Sequence, residues 1–210
     1  MHKMCFGFLD SGADDEVTLR RNKDAYLQLE MNFKVLAGLS PPLDLSASLL
    51  GHTFDIPFFA CPTGGNRMFH NEVNRFQSIG ICEARPVQLF LQGDLAVAAA
   101  SAHHNSLYCL SSLGTTSMAD ICLSLPPGHP KLLQLYIWRD KDMLKEVLAT
   151  AEQLGFTAIA LTVDHAWYGN RERNLRTGFT IPPDFSVRQV WEACRRPAWT
   201  WDFLAHPPYK

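Results

Sequence analysis

The sequence predicts an α/β protein built on a parallel sheet, and three observations carry that prediction. Short apolar, β-prone runs recur and end in polar or small residues. Helix-like stretches alternate with them in βαβα order. The clearest run, residues 158–164, opens into a loop crowded with charge, His165 to Asn174. Chemistry in parallel sheets sits at the carboxyl ends of the strands, so this loop is the first place to look for function.

The elements follow in order. Residues 1–45 form an N-terminal segment, in which a turn at residues 10–16 precedes a helix starting near Asp14 or Asp15 and running to about Leu29. Acidic residues at its front suit the positive end of the helix dipole. Residues 46–72 hold a small hairpin at residues 49–54 and a first buried strand at residues 56–61. Residues 93–164 carry the regular rhythm. Helices are expected over residues 94–103 and 115–123, the latter capped by Thr116 or Ser117, and strands over residues 107–111 and 132–136. A further helix is capped by Asp140 or Asp142, with Met143, Leu144, Val147, Leu148, Ala151 and Leu154 as its apolar stripe and Gly155 as its stop. Four strand–helix steps result. A closed eight-stranded barrel needs about 250 residues and eight steps, so about half of one is present. Residues 165–210 leave the rhythm as a long loop after the fourth strand.

Composition narrows the function. The chain has 210 residues, a net charge of −2 and 47% hydrophobic content, an ordinary globular balance with nothing to favour nucleic acid. No apolar run approaches the ~20 residues of a membrane span, and no signal peptide is evident. The six cysteines, at 5, 61, 82, 109, 122 and 194, form no C-x-x-C pair and no zinc spacing. Cys61 and Cys109 read as small buried hydrophobes, and the expected setting is intracellular and cytoplasmic.

Residues 73–92 fit no neighbouring period. Without them, His70-Asn71-Glu72 would join Gly93-Asp94 as a short connection of ordinary length. The segment reads as a non-native insertion, translated non-coding sequence such as a retained intron; a surface insertion is the other reading.

Several residues have types suited to a site. Gly64 and Gly65, after Pro62-Thr63, allow backbone to approach a flat ligand, although most such pairs are turns. Gln134 inside an apolar strand needs hydrogen-bond partners. Ser111 and Thr162, at strand ends, suit either a site or a helix cap. Tyr136 suits a core as well as a site. Arg171 offers a planar fork for a carboxylate; the other reading is a solvated loop of mixed charge, since surface arginines are common. His70 and His165 read as structural or exposed.

The ordered set Ser11-Gly12-Ala13-Asp14-Asp15-Glu16-Val17-Thr18-Leu19, Ala60-Cys61-Pro62-Thr63-Gly64, Leu110-Ser111-Ser112, Gln134-Leu135-Tyr136, Thr162-Val163-Asp164 and Gly169-Asn170-Arg171-Glu172-Arg173-Asn174 resembles the N-terminal half of the FMN-dependent 2-hydroxy-acid dehydrogenases and oxidases. That family includes glycolate oxidase, lactate dehydrogenase and mandelate dehydrogenase. Pro62-Thr63-Gly64 and Arg196-Pro197-Ala198-Trp199 look most like the mandelate dehydrogenase branch. The resemblance implies about half of a TIM (β/α)8 barrel, FMN as cofactor, a small 2-hydroxy acid as substrate, a 2-oxo acid as product, and frequent homo-oligomers. By resemblance, Pro62, Thr63 and Gly64 line the flavin ring, Ser111, Gln134 and Thr162 bond its polar edge, and Tyr136 and Arg171 hold substrate.

Three departures qualify it. Phe8 stands where the family usually places a substrate-holding tyrosine, keeping the ring and losing the hydroxyl. The chain starts inside a family motif. The half that carries the family's catalytic histidine, a flavin-proximal lysine, a second arginine and the phosphate loops has no counterpart, so no catalytic residue is assigned. A half barrel of this kind is expected to fold poorly alone, to bind FMN weakly and not to turn over substrate. The alternative is a non-catalytic half-barrel fragment that acts as an interaction partner or pseudoenzyme.

Overall fold

A computed structural model describes residues 2–36, 38, 42–69, 93–165, 167–180 and 186–205. Its elements, in chain order, are helices α1 (Lys3–Asp10) and α2 (Val17–Asp24), a 3-10 turn (Ala25–Gln28), strands β1 (Ala47–Leu49) and β2 (His52–Phe54), and helices α3 (Asn66–Phe69) and α4 (Asp94–His103). There follow β3 (Tyr108–Ser111), α5 (Met118–Ser124), β4 (Lys131–Leu135), α6 (Lys141–Gln153), β5 (Ala158–Leu161), α7 (Glu172–Thr177), α8 (Val187–Cys194) and α9 (Pro197–Ala205). The chain divides into two compact units, Met1–Leu43 with Ala166–Trp201, and Asp44–His165 with Asp202–Lys210.

The second unit carries the sheet. β3, β4 and β5 run parallel in that order, with Ser111 beside Gln134 and Gln134 beside Ala160. Parallel neighbours need a crossover, and α5 and α6 supply the two. Both begin as the sequence indicates: Ser117 accepts from the Asp120 amide, and Asp140 from the amides of Asp142 and Met143. α6 ends at Gly155, whose φ of +69° suits a residue without Cβ. Strand alternation then sorts the core. Tyr108, Leu110 and Leu133 pack with Ala98, Ile121, Leu125 and Ala151 of the helical layer. Leu107, Cys109 and Leu132 pack on the other face with Phe54, Ala158 and Ala160. The hairpin β1–β2 turns at Leu50 and Gly51, both at positive φ, as a two-residue turn of primed type requires.

Several expectations are corrected. Residues 56–61 form no strand; Phe58, Phe59 and Cys61 are exposed, so Cys61 is not a buried hydrophobe whereas Cys109 is. The segment is held by single contacts, such as the Ser106 hydroxyl donating to the Phe58 carbonyl, rather than by a ladder. β5 is not fully buried: Ile159 and Leu161 are exposed, and among the described residues no strand pairs with its outer edge. Of the stripe expected on α6 only Ala151 is buried; Leu144, Val147 and Leu154 are half-buried, and Met143 and Leu148 are exposed. His70 and residues 73–92 lie outside the described residues.

The first unit is helical. α1 precedes the expected turn at residues 10–16, and no helix was expected there; it is capped by the His2 ring, which accepts from the Met4 amide. α2 starts later than the acidic run suggests. Asp14 and Glu16 take left-handed backbone (φ +47° and +56°), and the Gly12 amide donates to the Glu16 carboxylate, which closes a turn before the helix. Residues 165–210 are no plain loop: three helices, α7 to α9, occupy much of them. Among the described residues, no helix is long and apolar enough to cross a membrane.

Candidate functional site

The candidates fall into two groups, one in each unit. In the second unit, period-two alternation decides which side chains meet. Cys109, Leu132 and Ala158 face one cluster, so Ser111, Gln134, Ala160 and then Thr162 continue that face towards the strand tips. Gln134 is the hub. Its side-chain oxygen accepts from the Ser111 hydroxyl (3.2 Å), the Ser112 amide (3.1 Å) and the Ser112 hydroxyl (3.3 Å). Its amide nitrogen donates to the Thr162 hydroxyl at 2.8 Å. One buried amide thus ties three strand tips into a row, which is how a glutamine is tolerated at 5% exposure. The capping alternative for Ser111 and Thr162 falls away, because Ser117 and Asp140 cap the neighbouring helices.

The loop carrying Pro62, Thr63 and Gly64 is fastened beside this row. The Gly65 amide donates to the Leu113 carbonyl at 3.1 Å. A Cβ on Gly64 would stand 2.9 Å from the Leu113 Cβ, so the two loops approach too closely for any larger residue there. Asn66 bonds the Thr63 hydroxyl and carbonyl and donates to Asp94 at 2.6 Å. Asp94, only 1% exposed, also accepts from the Thr115 amide (2.7 Å) and hydroxyl (2.8 Å). Asn66, Asp94 and Thr115 therefore clamp the loop at residues 62–65 and the loop after β3 to the start of α4. Sequence reasoning passed over all three, since an acid opening a helix reads as an ordinary dipole partner. Tyr136 follows directly on β4, half-buried, with the His165 ring 5.7 Å away.

In the first unit, Arg171 is the residue before α7. Its guanidinium lies 4.8 Å over the Phe8 ring and donates to the Phe8 carbonyl at 3.2 Å. The Phe8 ring is in turn stacked on Phe179 at 4.4 Å, a contact not anticipated from the sequence. The neighbouring arginines have carboxylates. Arg173 bridges Asp10 (2.8 Å) and Glu16 (3.2 Å), and Arg176 pairs with Glu172 (2.8 Å). Asn170 donates to Asp14. Among the described residues no ion pair is recorded for Arg171, which is half-buried and held from one side. A guanidinium so placed keeps donors for an external carboxylate.

Comparison with known proteins decides the family. The model of the family described as FMN-dependent dehydrogenase matches residues 1–209. The chain belongs to the FMN-dependent dehydrogenases. Glycolate oxidase 1 of Zea mays is 30% identical over 186 residues, which cover 89% of this chain and 44% of that protein. A solved structure of the monotopic membrane protein (S)-mandelate dehydrogenase superposes with a TM-score of 0.79 at 30% identity, covering 99% of this chain and 50% of the other. A soluble mutant of the membrane-associated (S)-mandelate dehydrogenase from Pseudomonas putida gives 0.68 at 27% identity, covering 90% and 47%. The chain thus spans about half the length of these relatives, and its parallel strand–helix units are part of the TIM-barrel fold of FMN-dependent hydroxy-acid oxidases. The family is FMN-dependent, and the donor set of the Gln134 row suits a flavin edge: hydroxyls and an amide can both donate and accept.

Proposed function

We propose that this chain supplies the flavin-edge and substrate-carboxylate parts of an FMN-dependent oxidation of a small lactate- or mandelate-like 2-hydroxy acid to the 2-oxo acid. The Gln134 row is the observation that supports the reading most directly. Bound FMN would take up the hydride equivalent that leaves the hydroxyl-bearing carbon. Ser111, Gln134 and Thr162 would hold the polar edge of the ring, and the backbone of Pro62, Thr63 and Gly64 would lie along it. Arg171 would take the substrate carboxylate as a two-pronged donor, and the Tyr136 hydroxyl would touch substrate. Phe8, short of a hydroxyl, would serve through its ring and carbonyl by fixing the Arg171 guanidinium. No residue of the chain is assigned the role of base, so the chain alone is proposed to bind FMN weakly and not to turn over. Its cysteine pattern supports a reducing, cytoplasmic setting.

Quenching of FMN fluorescence by the purified chain tests this. Weak, saturable binding is expected, and Gln134→Leu should abolish it while Arg171→Lys leaves it intact. Carboxylate recognition is read separately, by titrating L-lactate or mandelate into chain with isotope-labelled arginine side chains. The Arg171 resonance should move and those of Arg173 and Arg176 should not. FMN binding that ignores Gln134 would remove the flavin-edge assignment; an unmoved Arg171 would remove the clamp. Stoichiometric FMN in the purified chain, or turnover, would overturn the proposed inactivity.

A further inference from the structure

Between the 3-10 turn and residue 36 runs a segment that the proposed function does not use. Leu29-Glu30-Met31-Asn32-Phe33-Lys34-Val35 alternates apolar and polar residues without a break. This is the pattern of a half-buried strand. Here it buries nothing: Leu29, Met31, Phe33 and Val35 are between 75% and 86% exposed. Leu29 has extended backbone (φ −102°, ψ 122°), residues 30–34 lie in no helix, turn or bend, and a turn begins at Val35. Among the described residues, no hydrogen bond reaches the backbone of residues 30–34. An unpaired extended edge with one wholly apolar face is a template for strand addition.

We infer that residues 30–34 pair antiparallel with the same segment of a second copy, in the register centred on Asn32. The charges choose both occupant and register. Pairing about Asn32 sets Glu30 opposite the partner copy's Lys34, and by the twofold symmetry Lys34 opposite the partner copy's Glu30. On the apolar face it sets Met31 opposite Phe33 twice over, with Leu29 and the turn residue Val35 at the two ends of the paired stretch. Pairing about Met31 instead sets Glu30 against Asn32 and Lys34 against Gln28, so no charge is matched. A shift by a single residue between copies turns apolar side chains towards the polar face. The segment is thus self-complementary in one register.

Sedimentation velocity on the 210-residue chain and three variants tests the pairing. The wild type is expected to dimerise at micromolar concentration. Glu30→Lys or Lys34→Glu alone places two like-charge pairs across the axis and should weaken the dimer by about tenfold or more. The double variant Glu30→Lys/Lys34→Glu restores both pairs with signs exchanged and should dimerise like the wild type. High salt should narrow the difference between single and double variants. Four results would overturn the inference. One is a monomeric wild type. The second is a double variant no better than the singles. The third is equal association of all four forms, which would place the contact elsewhere, such as the outer edge of β5. Association of the wild type only with an added C-terminal half of a full-length relative would give the segment to that half and likewise refute self-pairing.

Discussion

Asp94→Asn is the substitution from which the loop clamp can be read most directly. The carboxylate is 1% exposed, and both its oxygens are occupied. One accepts from Asn66 Nδ2 at 2.6 Å, the other from the Thr115 amide and hydroxyl at 2.7 and 2.8 Å. All three neighbours are donors, so acceptors are needed on both sides. An isosteric amide offers only one. Facing its NH2 towards Asn66 opposes two NH2 groups but keeps both Thr115 bonds, and this is the less costly arrangement. The lost charge-assisted bond is worth about 1.5–3 kcal/mol, and relief of carboxylate desolvation offsets part of that, leaving a cost of about 2 kcal/mol. The compensating change is Asn66→Asp. In the double variant the amide introduced at position 94 donates to the carboxylate introduced at position 66. That carboxylate still accepts from the Thr63 hydroxyl, as Asn66 Oδ1 does at 2.9 Å. The bond given up is the longer one from Asn66 to the Thr63 carbonyl, at 3.3 Å and exposed. At least about half of the lost stability should therefore return. Urea unfolding followed by far-UV circular dichroism measures this, with an unchanged m-value as the check that compactness is unaltered. A double variant no more stable than Asp94→Asn would refute the donor–acceptor accounting. So would a single variant within about 0.5 kcal/mol of the parent.

Four further outcomes follow from the same structure. Phe8→Leu, which removes the ring under Arg171 and against Phe179, should cost about 1–2 kcal/mol in urea unfolding, and Phe8→Tyr should cost little. Burial raises the Cys5 thiol from 9.0 to about 11, so at pH 8 iodoacetamide should label exposed Cys61 and Cys194 and spare Cys5, as peptide mass spectrometry would show. Because that thiol titrates higher folded than unfolded, its contribution to stability is complete below pH 9 and should be lost as pH rises towards 11. Burial lowers the His129 pKa from 6.5, outweighing the bond its Nε2 donates to the Ser106 carbonyl. A group depressed by folding stabilises above its unfolded value, so stability should fall as pH drops through 6.5 and below, and His129→Gln should flatten that slope in thermal melts.

What the sequence discloses here is what local chemistry dictates. Ser117 and Asp140 start their helices because a short side chain accepts from amides that have no other partner. Leu50-Gly51 turns because it lies between two short β-prone runs and glycine accepts positive φ. Gln134 stood out because a buried amide must be satisfied, and it is satisfied by Ser111 and Thr162, both named from the sequence. What stayed hidden depends on residues far apart in the chain. Asp94 is ordinary until Asn66, 28 positions away, and Thr115, 21 positions away, converge on it. Phe179 is one aromatic among many until Phe8 lies against it. Arg171 differs from Arg173 only in what surrounds it, and no spacing within Arg171-Glu172-Arg173 tells which guanidinium Asp10 and Glu16 will claim.

The mismatches on the sheet carry their own information. Every apolar residue of β3 and β4 is buried, as its type predicts. Type and burial disagree along β5, whose Ile159 and Leu161 are exposed, and around residues 56–61, where Phe58 and Phe59 are exposed. An isoleucine in a strand is favoured by a covered, pleated surface and gains nothing from facing water. Residue type therefore records a neighbour that the described residues do not supply on either side of the three-stranded sheet. In a closed (β/α)8 barrel every strand has two neighbours and a helix behind it. The two places where the sequence overpredicts burial are the two flanks at which such a barrel would continue, so the error is concentrated where the fold of the relatives says it should be.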